Sequence, residues 1–330
     1  MITDHHKEGR PLVTTITSVA VVGAGYMGGG IAQSLALAGL PVTIADVSAD
    51  ATSAAYERLL IEARDFEDAG LFDVGAAEKI RANLRTASSI EEAVADVDFV
   101  EEAVFESVEV KHEVLSRISA AARPEAIIGS NTSTIPARVL GTVVKHPERF
   151  LTVHFSNPAP FIPGVELVLG EHTDEAIVPV VKELLTTAGR QAALVADVPG
   201  FVLNRLQYVL LKEAMSIAEE GIASPEDIDT VVRTTFGFRL GFFGPFAIAD
   251  QAGLDVYASG FRTFEEAFGE RLATPQLVQD AVASDRRGVK NGKGLLRDYT
   301  PEEVKALVAH RNRAYSEMGR LVRSLGSTPA

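Results

Sequence analysis

His154 and Glu166 are the two residues of this sequence whose types and spacing best suit a proton-transfer reaction. His154 follows the apolar run RFLTV, which is typical of a buried strand, and Glu166 lies near the start of the apolar run VELVLG. A neutral imidazole can take a hydroxyl proton near pH 7, and a carboxylate on its other ring nitrogen fixes the tautomer. A buried carboxylate without a partner would cost several kcal/mol. The pattern favours a general base with an orienting partner; the alternative is a structural histidine at a strand end.

The other six of the seven histidines do not suggest a second site. No two of them have the spacing of metal ligands, and the chain has no cysteine, so we predict no metal site, disulfide or thiol nucleophile. A chain without cysteine also suits a reducing cytoplasm, which is the location we predict. The six are His5 and His6 in a flexible tail, His112 and His310 on charged helices, and His146 and His172 in polar loops.

The segment SVAVVGAGYMGGG joins an apolar strand to a glycine-rich turn that fits a dinucleotide. Gly23, Gly25 and Gly28 match G-x-G-x-x-G, and a helical run follows them. The first glycine permits the tight turn, the second lets backbone amides approach a pyrophosphate, and the third lets helix and strand pack closely. The alternative is a structural glycine turn. The predicted cofactor contacts here are Gly23, Ala24, Gly25, Tyr26, Met27 and Gly28.

Asp46 ends PVTIAD, the strand-like run that follows the first helix. At this position a carboxylate can accept hydrogen bonds from the adenosine ribose hydroxyls and would repel a 2′-phosphate. No arginine follows in ADVSAD. The ordered set of strand, glycines, helix, strand and acid therefore predicts NAD rather than NADP.

Further strands and helices alternate up to about residue 198, which predicts a Rossmann-type, doubly wound α/β sheet. Three of the predicted strands end in polar groups: Glu106 follows EEAVF, SNTST follows AIIG, and His154 follows RFLTV. Carboxyl ends of parallel strands meet at one edge, where cofactor and substrate bind in such folds. We therefore expect these groups to share one crevice.

From Pro199 the alternation stops and only helical patterns follow, beginning with the apolar run PGFVLNRLQYVLLKEAMSIAEEG. Ser224, before Pro225 and two acidic residues, is typical of a helix N-cap. We predict an NAD-binding domain over residues 14–198 and an all-α domain over residues 199–330. Asn204 is a polar amide in an apolar stretch, and either caps buried backbone groups or faces the cleft.

Composition excludes several classes of protein. The 330 residues are 46% hydrophobic and carry a net charge of −14 without a Lys/Arg cluster, so we predict a small-molecule substrate and no nucleic-acid partner. Residues 11–45 lack charge, but their glycine turn divides them into strand and helix rather than a membrane span. The polar leader MITDHHKEGR does not have the form of a signal peptide.

From Ser18 to about Tyr299 the sequence resembles the L-3-hydroxyacyl-CoA dehydrogenases in the dinucleotide loop, SNTS, HFSNP followed by VE, PGFVLNR and GFFGPF. The resemblance implies that His154 is the catalytic base, that Glu166 orients it, and that Ser133 and Asn204 hold the substrate oxygen. It also implies a homodimer formed through the second domain. Further implied NAD contacts, beside the glycine loop and Asp46, are Glu106, Lys111, Asn157 and Lys290. Without the resemblance, Lys111 could be a solvated helix lysine and Lys290 a turn residue.

Two segments point to a particular branch of that family. The family's CoA-contacting serine and lysine would fall near Glu62 and Ala69, in the acidic segment ERLLIEARDFEDAG, which should repel CoA phosphates. The loop APFIPGVELV, with Pro163 where acyl-CoA enzymes carry a lysine or similar residue, is similar to the branch with lambda-crystallin (L-gulonate dehydrogenase), carnitine dehydrogenase and a pyridine-carboxylate dehydrogenase. We therefore expect a β-hydroxy substrate, either a short 3-hydroxyacyl-CoA or a small free acid.

Two other functions stay open at this stage. The 6-phosphogluconate-like β-hydroxyacid dehydrogenases share the glycine loop and a helical second domain but use a lysine on its first long helix, where Lys212 lies beyond the N-terminal part. A non-catalytic NAD-binding or structural protein is the other alternative. The positions of Lys212 and Asn204 on that helix argue against the first of these functions. The combination of His154, Glu166, Ser133 and Asn204 argues against the second.

Overall fold

The computed structural model describes residues 14–326 of the chain. The predictions for His5, His6 and the polar leader therefore lie outside the described residues. Two compact units divide between Leu210 and Leu211. The domain boundary predicted at residues 198/199 stays a prediction.

The first unit is built on one eight-stranded sheet with the strand order β3-β2-β1-β4-β5-β6-β7-β8. Every pair of neighbouring strands in it is parallel except β6 and β7, which are antiparallel. This arrangement confirms the predicted Rossmann-type sheet. The strands are β1 Val19–Val22, β2 Val42–Ala45, β3 Leu84–Thr86, β4 Phe99–Glu102, β5 Ile127–Ser130, β6 Phe150–Phe155, β7 Gly164–Leu169 and β8 Gln191–Val195.

Strand β7 is the part of the sheet that the sequence pattern did not predict as a strand, together with the short β3. The loop between β6 and β7 reverses the chain, so the two strands pair antiparallel, with His154 directly opposite Glu166. Directly opposed residues of paired strands point to the same face of a sheet. The reversal therefore places the predicted base and its predicted partner side by side.

Helices cover both faces of this sheet and bury two separate apolar clusters. One cluster contains Val19, Val21 and Leu35, and the other contains Val22, Leu115 and Phe150. Strands buried on both faces read as continuous apolar runs, as VAVV does here. The helices that begin in this unit are α1 Tyr26–Leu37, α2 Ala49–Asp68, α3 Ala76–Asn83, α4 Ile90–Val94, α5 Val108–Ala121, α6 Ala137–Leu140, α7 Ile177–Thr187 and α8 Leu203–Glu219.

The second unit contains helices without a strand in its described part, which confirms the predicted helical C-terminal region. Ser224 is the N-cap of the helix that begins at Pro225, and its side chain accepts a hydrogen bond from the Asp227 amide. None of the described helices combines the length and the hydropathy that crossing a membrane requires. The helices are α9 Pro225–Thr234, α10 Phe236–Leu240, α11 Pro245–Ala252, α12 Leu254–Phe268, α13 Gln276–Ala283 and α14 Pro301–Leu325.

A buried carboxylate, Asp250, organises the glycine-rich loop before α14. It accepts hydrogen bonds from the Leu295 amide at 2.6 Å and from the Tyr299 hydroxyl at 3.0 Å. Burial, and then the hydrogen bond and charge of Asp250, raise the pKa of Tyr299 to about 12. Lys290 lies in this loop, and its amine is 2.8 Å from an oxygen of Asp255. Asp250 thus fixes the loop that carries Lys290.

Candidate active site

An open cavity of about 1020 Å³ lies at the carboxyl ends of the central strands of the first unit. This is the edge where a doubly wound sheet binds its ligands. It brings together the glycine loop and most of the polar groups predicted from the sequence. Among the residues that line it are Gly23, Gly25, Met27, Asp46, Glu106, Asn131, Ser133, His154, Ser156, Asn157, Asn204 and Gln207.

The glycine loop has the conformation that a dinucleotide requires. Gly23 has φ +94°, a left-handed value, and a Cβ at Gly28 would lie 1.8 Å from the Gly23 carbonyl oxygen. A Cβ at Gly25 would meet nothing within 4 Å, so this glycine leaves open space above the loop. Helix α1 begins directly after it, and the first-turn amides of a helix favour an anion. The loop therefore fits a pyrophosphate.

Two charged side chains fix the backbone of the glycine loop through hydrogen bonds to Ala24. Asp46 Oδ2 accepts a hydrogen bond from the Ala24 amide at 2.8 Å, while Arg58 donates to the Ala24 carbonyl oxygen at 2.7 Å. Arg58 also pairs with Glu62 at 2.7 Å. The sequence interpretation missed Arg58; its spacing from Glu62, i and i+4 on α2, was the available signal. Asp46 lines the cavity beside the loop, where a ribose would lie.

Glu106 fixes the SNTST loop rather than standing free at the strand end. Its Oε1 accepts hydrogen bonds from the Thr132 hydroxyl at 2.7 Å, the Ser133 amide at 2.9 Å and the Thr134 amide at 3.0 Å. Burial acts to raise the pKa of Glu106, but the Thr132 hydrogen bond, the charge of Lys111 and the two amides outweigh it, so the pKa is lowered. An anionic Glu106 therefore holds Ser133 at the cavity wall.

Lys111 is fully buried, so the reading of it as a solvated helix lysine is wrong. Its Nζ lies 2.8 Å from Glu102 Oε1 and 3.4 Å from Glu106 Oε2. Glu102 also accepts a hydrogen bond from the Ser130 hydroxyl. Helix α5 also carries the exposed residues Glu109 and Glu113, so the local sequence did not show that Lys111 faces inward.

His154 and Glu166 form a buried pair at the cavity floor. His154 Nδ1 lies 2.9 Å from Glu166 Oε2, and the two residues are 6% and 8% exposed. The amides of Val202 and Leu203 donate to the other carboxylate oxygen, each at 2.9 Å. Helix α8 begins at Leu203, and a helix N-terminus favours a negative charge.

The turn before α8 is what presents those two amides to Glu166. Gly200 and Phe201 both have left-handed φ values, of +76° and +47°. The second value is strained for a phenylalanine, and such strain persists only where surrounding contacts enforce it. Phe201 is 1% exposed, and its ring centroid is 5.8 Å from that of His154. The PGFVLN segment therefore supports the histidine–glutamate pair from one side.

Ser133 and Asn204 meet at the same wall of the cavity. Asn204 Nδ2 donates to the Ser133 carbonyl oxygen at 3.1 Å, so this amide satisfies a backbone group while lining the cavity. Both alternatives considered for Asn204 thus have a structural counterpart. Two of the predicted cofactor contacts lie elsewhere around this site. Asn157 lines the cavity as well. Tyr26 is 69% exposed at the start of α1.

Two amide residues that line the cavity were not given a role from the sequence. Asn131 Oδ1 accepts a hydrogen bond from the Phe155 amide at 2.8 Å, which ties the SNTST loop to the strand that carries His154. Its place in SNTST was a usable signal. Gln207 lines the cavity from α8 with an exposed side chain. Between residues 14 and 326 no group of three or more potential metal ligands occurs.

Two domain models of one known family match most of the chain. Residues 18–198 match the model of the 3-hydroxyacyl-CoA dehydrogenase NAD binding domain, and residues 200–298 match that of the 3-hydroxyacyl-CoA dehydrogenase C-terminal domain. The chain is 34% identical to 5-formyl-3-hydroxy-2-methylpyridine 4-carboxylate 5-dehydrogenase of Mesorhizobium japonicum, over 93% of this chain and 98% of that protein. It is 36% identical to L-carnitine dehydrogenase of a Pseudomonas species, over 80% and 81% of the two chains.

A solved structure extends the likeness to the fold. The 3-hydroxyacyl-CoA dehydrogenase of Archaeoglobus fulgidus superimposes with a TM-score of 0.77 at 31% identity, over 92% of this chain and 99% of that one. The glycine loop and Asp46 fit NAD, and the family model that covers them is that of an NAD binding domain. The two matched models together span both units of the chain. The chain therefore belongs to the 3-hydroxyacyl-CoA dehydrogenase family, whose members are NAD-dependent oxidoreductases that act on CH–OH groups.

Proposed function

We propose that the chain reversibly oxidises the β-hydroxy group of a small free acid to a β-keto group, with His154 as the general base. The observation that carries the proposal is the buried His154–Glu166 pair, with Glu166 held by two further amides. A base whose orientation is fixed by a third group is the arrangement that activates a hydroxyl. Among the histidines between residues 14 and 326, His154 is the one that lines the cavity.

The geometry divides the proton transfer between two atoms of one ring. When Nδ1 donates its hydrogen to Glu166, Nε2 is left with the lone pair that takes the substrate hydroxyl proton. Glu166 then stabilises the imidazolium that forms. Its second oxygen is saturated by the Val202 and Leu203 amides, so the carboxylate is held in place during the step. A positioned base of this kind contributes roughly 10²–10⁴-fold in rate.

Ser133 and Asn204 are proposed to hold the reacting oxygen. Both line the cavity with His154, and the hydrogen bond between them fixes their separation. Glu106 supports this pair because it binds the Ser133 amide and the neighbouring Thr132 hydroxyl. Donors aimed at the oxygen stabilise the charge that develops there as the carbon is oxidised or reduced.

NAD supplies the hydride acceptor of this reaction. The residues proposed to bind it in the first unit are the glycine loop, Asp46, Glu106 and Asn157, each of which lies at the cavity. Lys111 is proposed to support NAD binding indirectly, through Glu106, because the Lys111 amine forms ion pairs with Glu102 and Glu106. In the second unit, Lys290 is the residue proposed to contact NAD, and it lies on the loop that Asp250 orders.

A free acid is the proposed substrate for two reasons. The relatives include a dehydrogenase named for a pyridine carboxylate and one named for L-carnitine, and neither name specifies a CoA thioester. Where the family's CoA-binding serine would fall, the structure has Glu62, already paired with Arg58. The rest of that stretch of α2 is acidic and would repel CoA phosphates.

A cytoplasmic homodimer is the proposed setting. Several large apolar side chains of the second unit are exposed, as expected of a surface that a second copy would cover. They include Val231, Phe242, Phe246, Val256, Phe264 and Phe268. Light scattering coupled to size exclusion tests the dimer directly, and a monomer at micromolar concentration would reject it.

The proposal is tested by following NADH oxidation with purified protein. His154→Asn should lower kcat by about 10²-fold or more, since the lone pair at the reacting position is lost. The matched control is His146→Asn, because His146 also pairs with a glutamate, Glu148, at 3.3 Å but lies outside the cavity. NADH affinity should be unchanged in both variants. Full turnover by His154→Asn would reject the mechanism.

The substrate class is tested in the same assay. The wild-type protein is supplied with free β-keto acids, acetoacetate first, and with acetoacetyl-CoA. Turnover of free acids alone would support the proposal. Efficient turnover of the thioester would reject the free-acid assignment while leaving the role of His154 intact.

A further inference from the structure

Gln207 is a cavity residue to which no function has yet been given. It lies on helix α8, three residues after Asn204, and its side chain is exposed on the cavity wall. Residues at i and i+3 lie on the same face of a helix. Its carboxamide takes no hydrogen-bond partner from the described residues of the first unit. A free donor therefore faces the cavity beside the proposed oxygen-binding residue.

The helix sets the spacing between these two amides. An α-helix rises 1.5 Å per residue, so Gln207 is displaced by about 4.5 Å along the axis from Asn204. In a β-keto acid the keto oxygen and an acid oxygen are separated by three carbon atoms, roughly 3–5 Å from ordinary bond lengths. One helix face therefore carries two amide side chains whose Cα atoms are displaced along the axis by about the separation of the two oxygens of a β-dicarbonyl compound.

The charge of the cavity gives this amide its importance. The charged side chains that line it are the carboxylates of Asp46 and Glu106, and no lysine or arginine of the described chain is among its lining residues. A substrate acid group cannot be bound there by a cation of this wall. On this wall it can be bound by neutral donors, and Gln207 is one that is not already used.

We propose that Gln207 is a specificity-determining residue, whose carboxamide donates a hydrogen bond to the second oxygen of the substrate. This inference rests on the proposed β-hydroxy acid oxidation. The shared chemistry is an acyl oxygen two carbons from the carbinol carbon, which is a carboxylate in a free acid and a carbonyl in a CoA thioester. A site that hydrogen-bonds a substrate group rejects analogues that lack the group, because its own donor is then left unpaired.

Two variants test the role. Gln207→Leu removes the donor, and Gln207→Glu replaces it with a negative charge. The matched control is Gln191→Leu, an exposed glutamine at the start of β8 that does not line the cavity. For each protein, kcat/KM is measured for acetoacetate, acetoacetyl-CoA and any free β-keto acid that the wild type reduces faster, and NADH affinity is measured by fluorescence titration.

The expected effects differ between the two oxygen types. Gln207→Leu should lower kcat/KM about 10- to 100-fold for a carboxylate and roughly 2- to 10-fold for a thioester, since hydrogen bonds to charged groups are stronger. Gln207→Glu should lower it further for the free acid alone, through like-charge repulsion. Gln191→Leu should match the wild type, and NADH affinity should be constant throughout.

The outcomes separate this inference from the function on which it rests. If the wild type turns over its substrates and Gln207→Leu matches it, the inference is rejected and the proposed function stands. If Gln207→Leu weakens NADH binding equally, the residue has a structural role and the inference is also rejected. A wild type that reduces neither acids nor thioesters would overturn both proposals.

Discussion

Two carboxylates that are neighbours in the chain, Glu101 and Glu102, have opposite surroundings in the same strand. Successive side chains of a strand point to opposite faces of the sheet. Both are fully buried in β4. Glu102 is paired with Lys111 and Ser130, whereas both oxygens of Glu101 are without a partner in the described structure. The two faces of the sheet therefore differ in how they accommodate a buried carboxyl group.

The face of Glu102 carries a row of polar residues. In the strand register Glu102 lies opposite Ser130, and Ser130 lies opposite Thr152. Two residues further toward the carboxyl end of β6 lies His154, opposite Glu166. All five point to the same face. Lys111 lies against this row and connects it to Glu106 at the cavity.

Glu101 is surrounded by apolar side chains on its own face of the sheet. Its carboxyl group lies against Gly129, where an added Cβ would meet Glu101 Oε2 at 2.3 Å, among Phe99 and Val153. Burial, reinforced by the charge of Glu102 and opposed by Lys111, raises the pKa of Glu101 well above its usual value. The carboxyl group on the face that leads to the cavity thus has a cation and a hydroxyl as partners, whereas the one on the opposite face has neither.

The largest expected effect comes from removing the cation of the polar face. Lys111→Met should destabilise the protein by about 3–5 kcal/mol, because Glu102 is left buried without its countercharge. Urea denaturation followed by circular dichroism measures this. The double variant Glu102→Gln/Lys111→Met should recover most of the loss. A loss below about 1 kcal/mol in the single variant would show that Glu102 does not depend on Lys111.

A smaller loss is expected further along the same row. Ser130→Ala removes the hydroxyl that donates to Glu102. Hydrogen bonds to charged groups are worth about 1.5–3 kcal/mol, and this is the expected drop in the free energy of unfolding. Ser119→Ala removes another buried serine hydroxyl, which accepts a hydrogen bond from the Lys145 amide, and is the control for loss of a hydrogen bond to an uncharged group. Equal losses of unfolding free energy in the two variants would show that the hydrogen bond to Glu102 is no stronger than the one in the control.

The opposite sign is expected on the other face. Glu101→Met replaces an unpartnered buried carboxyl group with an apolar side chain of similar size, and should stabilise the protein by about 1–3 kcal/mol at pH 8. The same denaturation experiment measures it. A destabilised Glu101→Met protein would mean that Glu101 has a favourable contact that the described structure lacks.

The pH dependence of stability sharpens the same contrast. A carboxyl group whose pKa is raised in the folded state binds its proton more tightly there than in the unfolded chain. Its contribution is fully present below the usual pKa near 4.5 and is lost as pH rises through the raised value. The wild type should therefore lose stability over this range relative to Glu101→Met. Parallel stability curves for the two proteins would contradict the raised pKa.

Much of the polar face could be predicted from the sequence because each of its parts lies in a local pattern. His154 ends an apolar strand, Glu166 lies near the start of an apolar run, and Glu106 and SNTST follow strands. Strand ends of a parallel sheet converge, so the cavity followed from the alternation alone. The direction of β7 did not follow, because an apolar run gives no sign of whether its pairing is parallel or antiparallel.

The partners that depend on distant residues could not be predicted. The pair EE in β4 shows that two carboxylates alternate between faces, but not which face has a cation. That is decided by Lys111, on a helix whose other charged side chains face water. Gln207 was missed for a related reason, since an amide on an apolar helix has no local pattern that distinguishes a cavity wall from a packing surface.

The smallest expected effect tests where the polar row ends. Thr152 lies opposite Ser130 in β6, yet its hydroxyl is buried without a partner in the described structure. Thr152→Val should therefore be neutral or stabilise the protein by up to about 1 kcal/mol, because a buried unpaired hydroxyl carries a desolvation cost. The denaturation midpoint measures it, with Ser130→Ala as the contrasting variant. A loss above about 1 kcal/mol would mean that the Thr152 hydroxyl is hydrogen-bonded through water. The row would then run unbroken from Lys111 to the strand that carries His154, and substitutions at its two ends should show coupled effects.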